Sequence, residues 1–207
     1  MNRVVADLHY LPSLEYFCSI MEADELILVP QDQYKRQSYF NRTRILLANK
    51  VETLSVPIVG RRPRLPQGEI KIDFSQKWQA VHQRGIQSAY GKAPFYEFYA
   101  PYFEGIFDRK PERLWDLNLE MLTICLKLLQ LPVKIRQCEK IEELEGEKDI
   151  RGLIEPKSPF SERQFYSPEP YHQLFGSDFE PNLSILDLMF CEGPGAKKIL
   201  YKSVKKG

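Results

Sequence analysis

Several features that would name a function outright are missing from this chain of 207 residues. The formal net charge is only +1, so no broad field draws the protein to nucleic acid or to a membrane, and anion binding has to come from local clustering. Cys18, Cys125, Cys138 and Cys191 are widely spaced with no CxxC pair, which excludes a redox motif and points to buried free thiols in a reducing compartment. The three histidines form neither HxxxH nor HExxH, so no zinc site and no other metal or cofactor is expected. No apolar run is long enough to span a bilayer, and the VVA run near the start is too short for a signal sequence, so a cytoplasmic location is expected. Internal repeats are absent. Hydrophobic content of 43% and charged content of 28% suit an ordinary folded chain, of a length that one core can serve.

What is present centres on residues 25–58. Two apolar, strand-like runs, ELILVP and ILLANKVETLSVPI, flank the polar connector QDQYKRQSYFNRTR. The first run is apolar throughout, as for a strand covered on both faces. The connector carries Lys35, Arg36, Arg42 and Arg44 against the single carboxylate Asp32, with ring faces from Tyr34, Tyr39 and Phe40. Such a segment can hold an anion or a polar ligand.

QYKRQSYFNRTRI, with HYLPSLEYF before it and LSILDLMFCEGPGAKKIL near the end, resembles the WbqC-like family of bacterial proteins, in family order and over most of the chain. The resemblance implies a link to O-antigen gene clusters and a transferase acting on sugars or amino sugars. Within the connector Gln33, Tyr34, Ser38, Asn41 and Arg42 fit the family motif, and Arg36 stands where Lys is common. Elsewhere Tyr10, Pro12, His82, Tyr90, Pro94, Ser184, Asp187, Glu192 and Gly193 match. His9 falls at a variable position. The usual Gln-Pro pair before the HYLP turn is replaced by Asp7 and Leu8, and the acidic pair before the connector by Pro30 and Gln31. Where a lost carboxylate served as acid or base, Asp32 or Asp7 is the nearest substitute.

Residues 4–8 read as a short buried strand, and SLEYFCSIME as a helix with Pro12 in its first turn. That strand-turn-helix sets His9 and Tyr10 at a strand's carboxyl end, where open α/β sheets bind ligands, although Tyr10 as a packing residue and His9 as a solvated turn residue remain the plainer account. Arg42 and Arg36 are suited to phosphate or carboxylate. Asn41 and Ser38 either bond a sugar or amide or turn the connector itself. RILLANKVETLSVPI reads as a hairpin around Asn49-Lys50, RRPRLPQG as an exposed basic loop with Arg61, Arg62 and Arg64, and GEIKIDF as a strand. Asp73 or Ser75 is expected to cap the next helix, QKWQAVHQRGIQSAYG.

KAPFYEFYAPYFEGIFD places Phe95, Tyr96, Phe98, Tyr99, Tyr102, Phe103 and Phe107 at helical spacing, read first as core and second as a platform for a sugar or base. RLWDLNLEMLTICLKLLQL is the clearest helix, VKIRQCEKI a returning strand, and SILDLMFCEG and GPGAKKILYKSV two closing helices. Residues 142–182 read as loop with one short strand at QFYSP, serving as a flap or as a contact between two copies of the chain.

The expected architecture is α/β: a mixed, largely parallel sheet flanked by helices, one domain over residues 1–207 with a helical excursion and a loop-rich C-terminal third. Tyr10, His82 and Asp187 are the candidate catalytic residues. His9, Gln33, Tyr34, Arg36, Ser38, Asn41, Arg42 and Tyr90 are the candidate substrate contacts. The expected ligand is an anionic small molecule, a nucleotide sugar or another activated donor. A group transferase is the leading reading, with a non-catalytic module for a nucleotide sugar or a partner protein as the alternative.

Overall fold

The computed structural model describes residues 1–60, 64–138, 144 and 146–206. Its main sheet is formed by β1 (Arg3–Val5), β2 (Glu25–Leu28), β5 (Lys134–Gln137) and β6 (Lys148–Asp149), all parallel, in the order β5-β2-β1-β6. The hairpin β3 (Arg42–Leu47) and β4 (Lys50–Ser55) stands apart from it. The α/β class with a largely parallel sheet is therefore as the sequence implied, and the segment after β6 is loop-rich.

Strand β2 alternates between two apolar clusters. Leu26 and Leu28 enter the main core, while Ile27 and Val29 meet Val5 and Cys138 on the opposite face. Burial on both faces is what an unbroken apolar run demands in a parallel sheet. Helix α1 (Leu14–Ile20) joins β1 to β2 and is buried at every residue, its start capped by Ser13, whose hydroxyl accepts from the Tyr16 N–H. The helical excursion consists of α2 (Trp78–Tyr90), α3 (Tyr96–Arg109) and α4 (Leu114–Leu128), after which the chain returns as β5 beside β2. Helices α5 (Ile185–Glu192) and α6 (Ala196–Ser203) close the fold against α1.

Some sequence expectations shift. The connector's flanking runs belong to different sheets, because the connector pairs with residues 65–68 instead: Tyr34 N–H donates to the Leu65 carbonyl and Gln67 N–H to that of Asp32. The hairpin closes on Leu47 and Lys50, so its turn is Ala48-Asn49, one residue earlier than read. GEIKIDF forms no strand. A 3-10 turn at Gln67–Glu69 is followed by single bridges from Lys71 to Arg113 and from Ile72 to Ile58, and a segment that pairs with two different neighbours cannot extend either ladder. Helix α2 begins at Trp78 without a side-chain cap, Asp73 instead accepting from the Ser75 N–H in the preceding turn. QFYSP contributes only the bridge from Tyr166 to Val204. The aromatic run of α3 divides: Phe103 and Phe107 are buried, whereas Phe98 and Tyr102 face outward. Cys18, Cys125 and Cys191 are buried free thiols, and Cys138 is buried as well. Arg61 and Arg62, with residues 139–143 of the returning strand and its exit, lie outside the described residues.

The strand order fixes where a ligand can enter. From β1 the chain builds outward through β2 to β5, then crosses back to place β6 on the other side of β1. The direction of building reverses between β1 and β6, and the crevice beyond their carboxyl ends is the position that open α/β sheets use for binding.

Candidate functional site

Asp7 lies just past β1, Asp149 ends β6, and Asp32 lies just past β2, so three carboxylates meet at this crevice. Arg151 links two of them. Its guanidinium donates to both oxygens of Asp149 at 2.6–3.1 Å and to both oxygens of Asp32 at 2.9 and 3.0 Å. Hydrogen bonds from Arg151 hold the Asp149 carboxyl below its usual range. Next along the chain, Gly152 donates its N–H to Asp7 at 2.6 Å. Its φ of +72° is left-handed, which favours glycine there, and the Lys35 ammonium lies close by, 3.2 Å from where a Cβ would stand. Further on, Arg163 forms a two-point pair with Glu15 of α1, both bonds 2.6 Å, and reaches the Ser158 carbonyl at 2.7 Å. The pair is almost dry: the Glu15 side chain is 0% exposed and that of Arg163 9%. Residues 149–163 are thus clasped across the sheet's carboxyl edge by two arginines.

Beneath this strap is a narrow cavity of about 20 Å³, room for little more than one water molecule, lined by Asp7, His9, Lys35, Ser38, Phe40, Gln67, Ile154 and Glu155. His9 is the notable member. It is 3% exposed, its ring sits 4.8 Å from that of Tyr16 and 5.4 Å from that of Tyr39, and its Nδ1 has no hydrogen-bond partner among the described residues. Burial, and then the charge of Arg163, lower its pKa to about 3, so the ring is neutral near pH 7. At the cavity mouth Lys35 Nζ stands 3.8 Å from Glu155 Oε1, with both side chains well exposed. The slot therefore has an acidic, hydrogen-bonding interior and a cationic lip, where Lys35 is followed by the exposed Arg36.

The turn that presents His9 is conformationally unusual. Leu11 adopts φ +41°, left-handed for a bulky residue that also precedes a proline. Its carbonyl is held from two sides, by Thr43 Oγ1 at 2.7 Å and Ser184 Oγ at 3.1 Å, while Tyr10 N–H donates to the Tyr39 carbonyl. Neighbouring elements impose the conformation, and it sends the side chains of His9 and Tyr10 to separate surroundings.

Tyr10 meets His82 of α2, the hydroxyl lying 2.8 Å from Nδ1. Burial raises the Tyr10 pKa, so the phenol stays protonated. Burial also lowers the His82 pKa to about 4, against the opposing pull of a backbone hydrogen bond to Ser55. The pair is buried at the edge of an open cleft of about 560 Å³ between the hairpin and α2, lined in part by Leu47, Thr53, Ser55 and Trp78. Asp187, 1% exposed on α5, accepts from Tyr171 at 2.6 Å and from Gln173 at 2.9 Å. Burial raises its pKa and those hydrogen bonds oppose the rise. The Tyr90 hydroxyl is close enough for the Asp187 charge, after burial, to raise its pKa, but it makes no hydrogen bond of ordinary geometry among the described residues.

In the connector, Gln33 forms a bridge to Pro66. Tyr34 packs on Phe40 with ring centroids 5.9 Å apart, and the charges of Arg36 and Arg42 partly offset the rise in pKa that burial causes. Ser38 accepts from the Phe40 N–H and donates to the Lys35 carbonyl at 2.8 Å, turning the chain. Asn41 donates to the Val56 carbonyl at 2.9 Å, pinning the hairpin's far end, and its Oδ1 is buried without a described partner. The candidates thus fall into separate groups: His9 and Ser38 line one cavity, Tyr10 pairs with His82, Asp187 lies near Tyr90, and Tyr34 feels the charges of Arg42 and Arg36.

Sequence reasoning missed the Arg151 and Arg163 clasps together with Glu15, Gln67 and Glu155. For Arg151 a signal existed, since DIRG sets an arginine two residues beyond an aspartate, within reach for a local pair. Glu15 and Arg163 are 148 residues apart in sequence and carry no local signal. Among the described residues no group of His, Cys, Asp or Glu is arranged to hold a metal ion, and no helix is long and apolar enough to cross a membrane.

Comparison with known proteins adds a family and one relative. Uncharacterized protein Rv1507c of Mycobacterium tuberculosis (strain H37Rv) is 25% identical, over 97% of this chain and 98% of its own length. No solved structure matches. The model of the WbqC-like protein family matches residues 8–169 and 161–199, a span that takes in the HYLP turn, the connector, the strap and α5, and the chain belongs to that family.

Proposed function

We propose that this protein is a group transferase of bacterial surface-polysaccharide (O-antigen) biosynthesis, moving an amino-acid or acyl group onto a nucleotide-linked amino sugar, with the sugar end of the ligand at the β1/β6 crevice. The observation that carries the reading is the unpartnered Nδ1 of His9, buried in a cavity at the point where the strand order reverses. A buried polar atom with no partner is unfavourable unless something else uses it. The polarity of the crevice suits such a ligand. Lys35 and Arg36 offer cations at the lip for phosphate, with Glu155 beside them, while Asp7 and Gln67 line the slot for hydroxyls or an amine. In this closed form the slot is too small for a sugar, so the strap of residues 149–163 has to open for entry.

Thermal unfolding with nucleotide sugars, free nucleotides, aminoacyl or acyl donors and inorganic phosphate tests the reading. A ligand at about 100 times its dissociation constant adds roughly 2.7 kcal/mol to stability. Stabilisation by a nucleotide sugar that disappears when His9 is replaced is the expected result, and the same stabilisation with and without His9 overturns it. One observation favours the alternative of a non-catalytic module: Tyr10, His82 and Asp187 all spend hydrogen-bonding capacity on protein partners. Under that reading nucleotide sugars bind at the crevice but no donor group is consumed.

A further inference from the structure

We propose that the outer face of α6 docks the protein onto an anionic lipid surface. The inference is independent of the crevice and of any transfer chemistry. Residues 197–206 contain Lys197, Lys198, Lys202, Lys205 and Lys206 and no acidic residue, whereas the rest of the chain carries 24 basic against 28 acidic residues. A molecule of nearly zero net charge thus carries a strongly basic patch at this end. Leu200 and Ser203 bury the inner side of α6, so Lys198, Tyr201 and Lys202 are left facing outward. Beside them runs an open groove of about 700 Å³ lined by Pro194, Lys197, Lys198, Tyr201, Lys202 and Lys206, in which Glu169 is the single acidic lining residue.

The side chains are partly ordered. Lys197 donates to the Gln130 carbonyl at 2.8 Å, Lys205 to that of Arg163 at 2.9 Å, and Lys202 to Glu169 at 2.7 Å. Lys198 and Lys206 are exposed, with no ion pair among the described residues. All the cations are lysines, compact point charges that suit the diffuse field of lipid phosphates. The arginine forks and side-chain amides that read base edges bidentately are absent from this groove, which leaves only lysines as cations there. Tyr201, 48% exposed amid the lysines, has the amphipathic ring that settles at headgroup depth. The helix's apolar side is spent on the protein's own core, so the docking is electrostatic and reversible.

Cosedimentation of the full chain with vesicles tests this, comparing neutral phosphatidylcholine with vesicles in which about a third of the lipid is phosphatidylglycerol. Binding to the anionic vesicles alone, fading as salt shortens the Debye length to about 8 Å and below, is expected. Lys198→Glu with Lys206→Glu lowers the vesicle partition by about tenfold or more, with an unchanged melting profile. Lys198→Gln with Lys206→Gln gives the same readout with milder loss, should the reversal fail to fold. Equal binding to both vesicle types, an unaltered partition in a folded variant, or tighter binding to duplex DNA than to anionic vesicles at the same salt overturns the proposal.

Discussion

His9 and His82 are both buried histidines packed against the β1–α1 turn, yet their surroundings differ. His82 shares a hydrogen bond with Tyr10 and has a second partner in the Ser55 backbone, so its ring ties α2 to the turn and the hairpin. His9 is as deeply buried, but its Nδ1 has no partner and it lines a cavity. Low exposure therefore does not separate a structural histidine from a candidate functional one. Unspent hydrogen-bonding capacity beside a space does.

The largest effect concerns the strap that encloses His9. Glu15→Gln strips Arg163 of its ionic partner while leaving the guanidinium buried, and the expected loss is about 3 kcal/mol or more. A shift of the urea midpoint at unchanged m-value measures it. A loss below about 1 kcal/mol would mean that the strap is not anchored by this pair. Next in size is Tyr10→Phe, which leaves His82 Nδ1 buried without its partner and should lower stability by about 1–3 kcal/mol. Ligand-induced stabilisation should survive that change. A Tyr10→Phe protein as stable as the parent would erase the distinction between the two histidines.

Acid sharpens the same comparison. Burial holds the pKa of His9 at about 3 and that of His82 at about 4, both below the 6.5 of an unfolded histidine. The unfolded chain takes up a proton at each site first, so stability is full above about pH 6.5 and falls as pH drops toward those folded values. Each site steepens the decline by at most about 1.4 kcal/mol per pH unit, and Asp187, whose carboxyl burial pushes up, works in the opposite sense. Urea titrations between pH 7 and 4 should show a shallower slope when either histidine is replaced. An unchanged slope would show that the ring in question titrates alike in both states.

Much of the fold was legible, because periodicity and capping are local. ELILVP announced a doubly covered strand, SLEYFCSIME and SILDLMFCEG their helices, although the first starts at Leu14 behind a Ser13 cap and leaves Pro12 outside its first turn, and the hairpin its position to within a residue. GEIKIDF was misread because its alternation reflects burial of Ile70 and Ile72 rather than a ladder, and propensity cannot report the absence of a neighbouring strand. For the site, the family motif led to Tyr10, Asn41, His82 and Asp187, whose polar groups are largely engaged within the protein. His9 sits at a position where the motif is silent, and its status depends on where the strap falls. That is set by Arg151 and Arg163 through contacts more than a hundred residues apart in sequence, a distance that pattern reading does not span.

The smallest expected effect on stability is also the most informative. His9→Leu removes a buried polar atom that has no partner and replaces the ring with an apolar side chain of similar bulk. Losing an unsatisfied group offsets much of the lost packing on Tyr16 and Tyr39, so the change should stay within about 1 kcal/mol of zero. His82→Leu is the matched control: it breaks a satisfied pair, leaves the Tyr10 hydroxyl buried, and should be the more damaging by about 1–2 kcal/mol. In thermal shift the order reverses. His9→Leu should abolish stabilisation by a nucleotide sugar and His82→Leu should leave it in place, because only the first removes an unpartnered polar atom from a residue that lines the cavity. Equal losses of stability in the two variants, with equal retention of ligand stabilisation, would mean that the open valence of His9 is satisfied within the fold and that the crevice is not where the ligand sits.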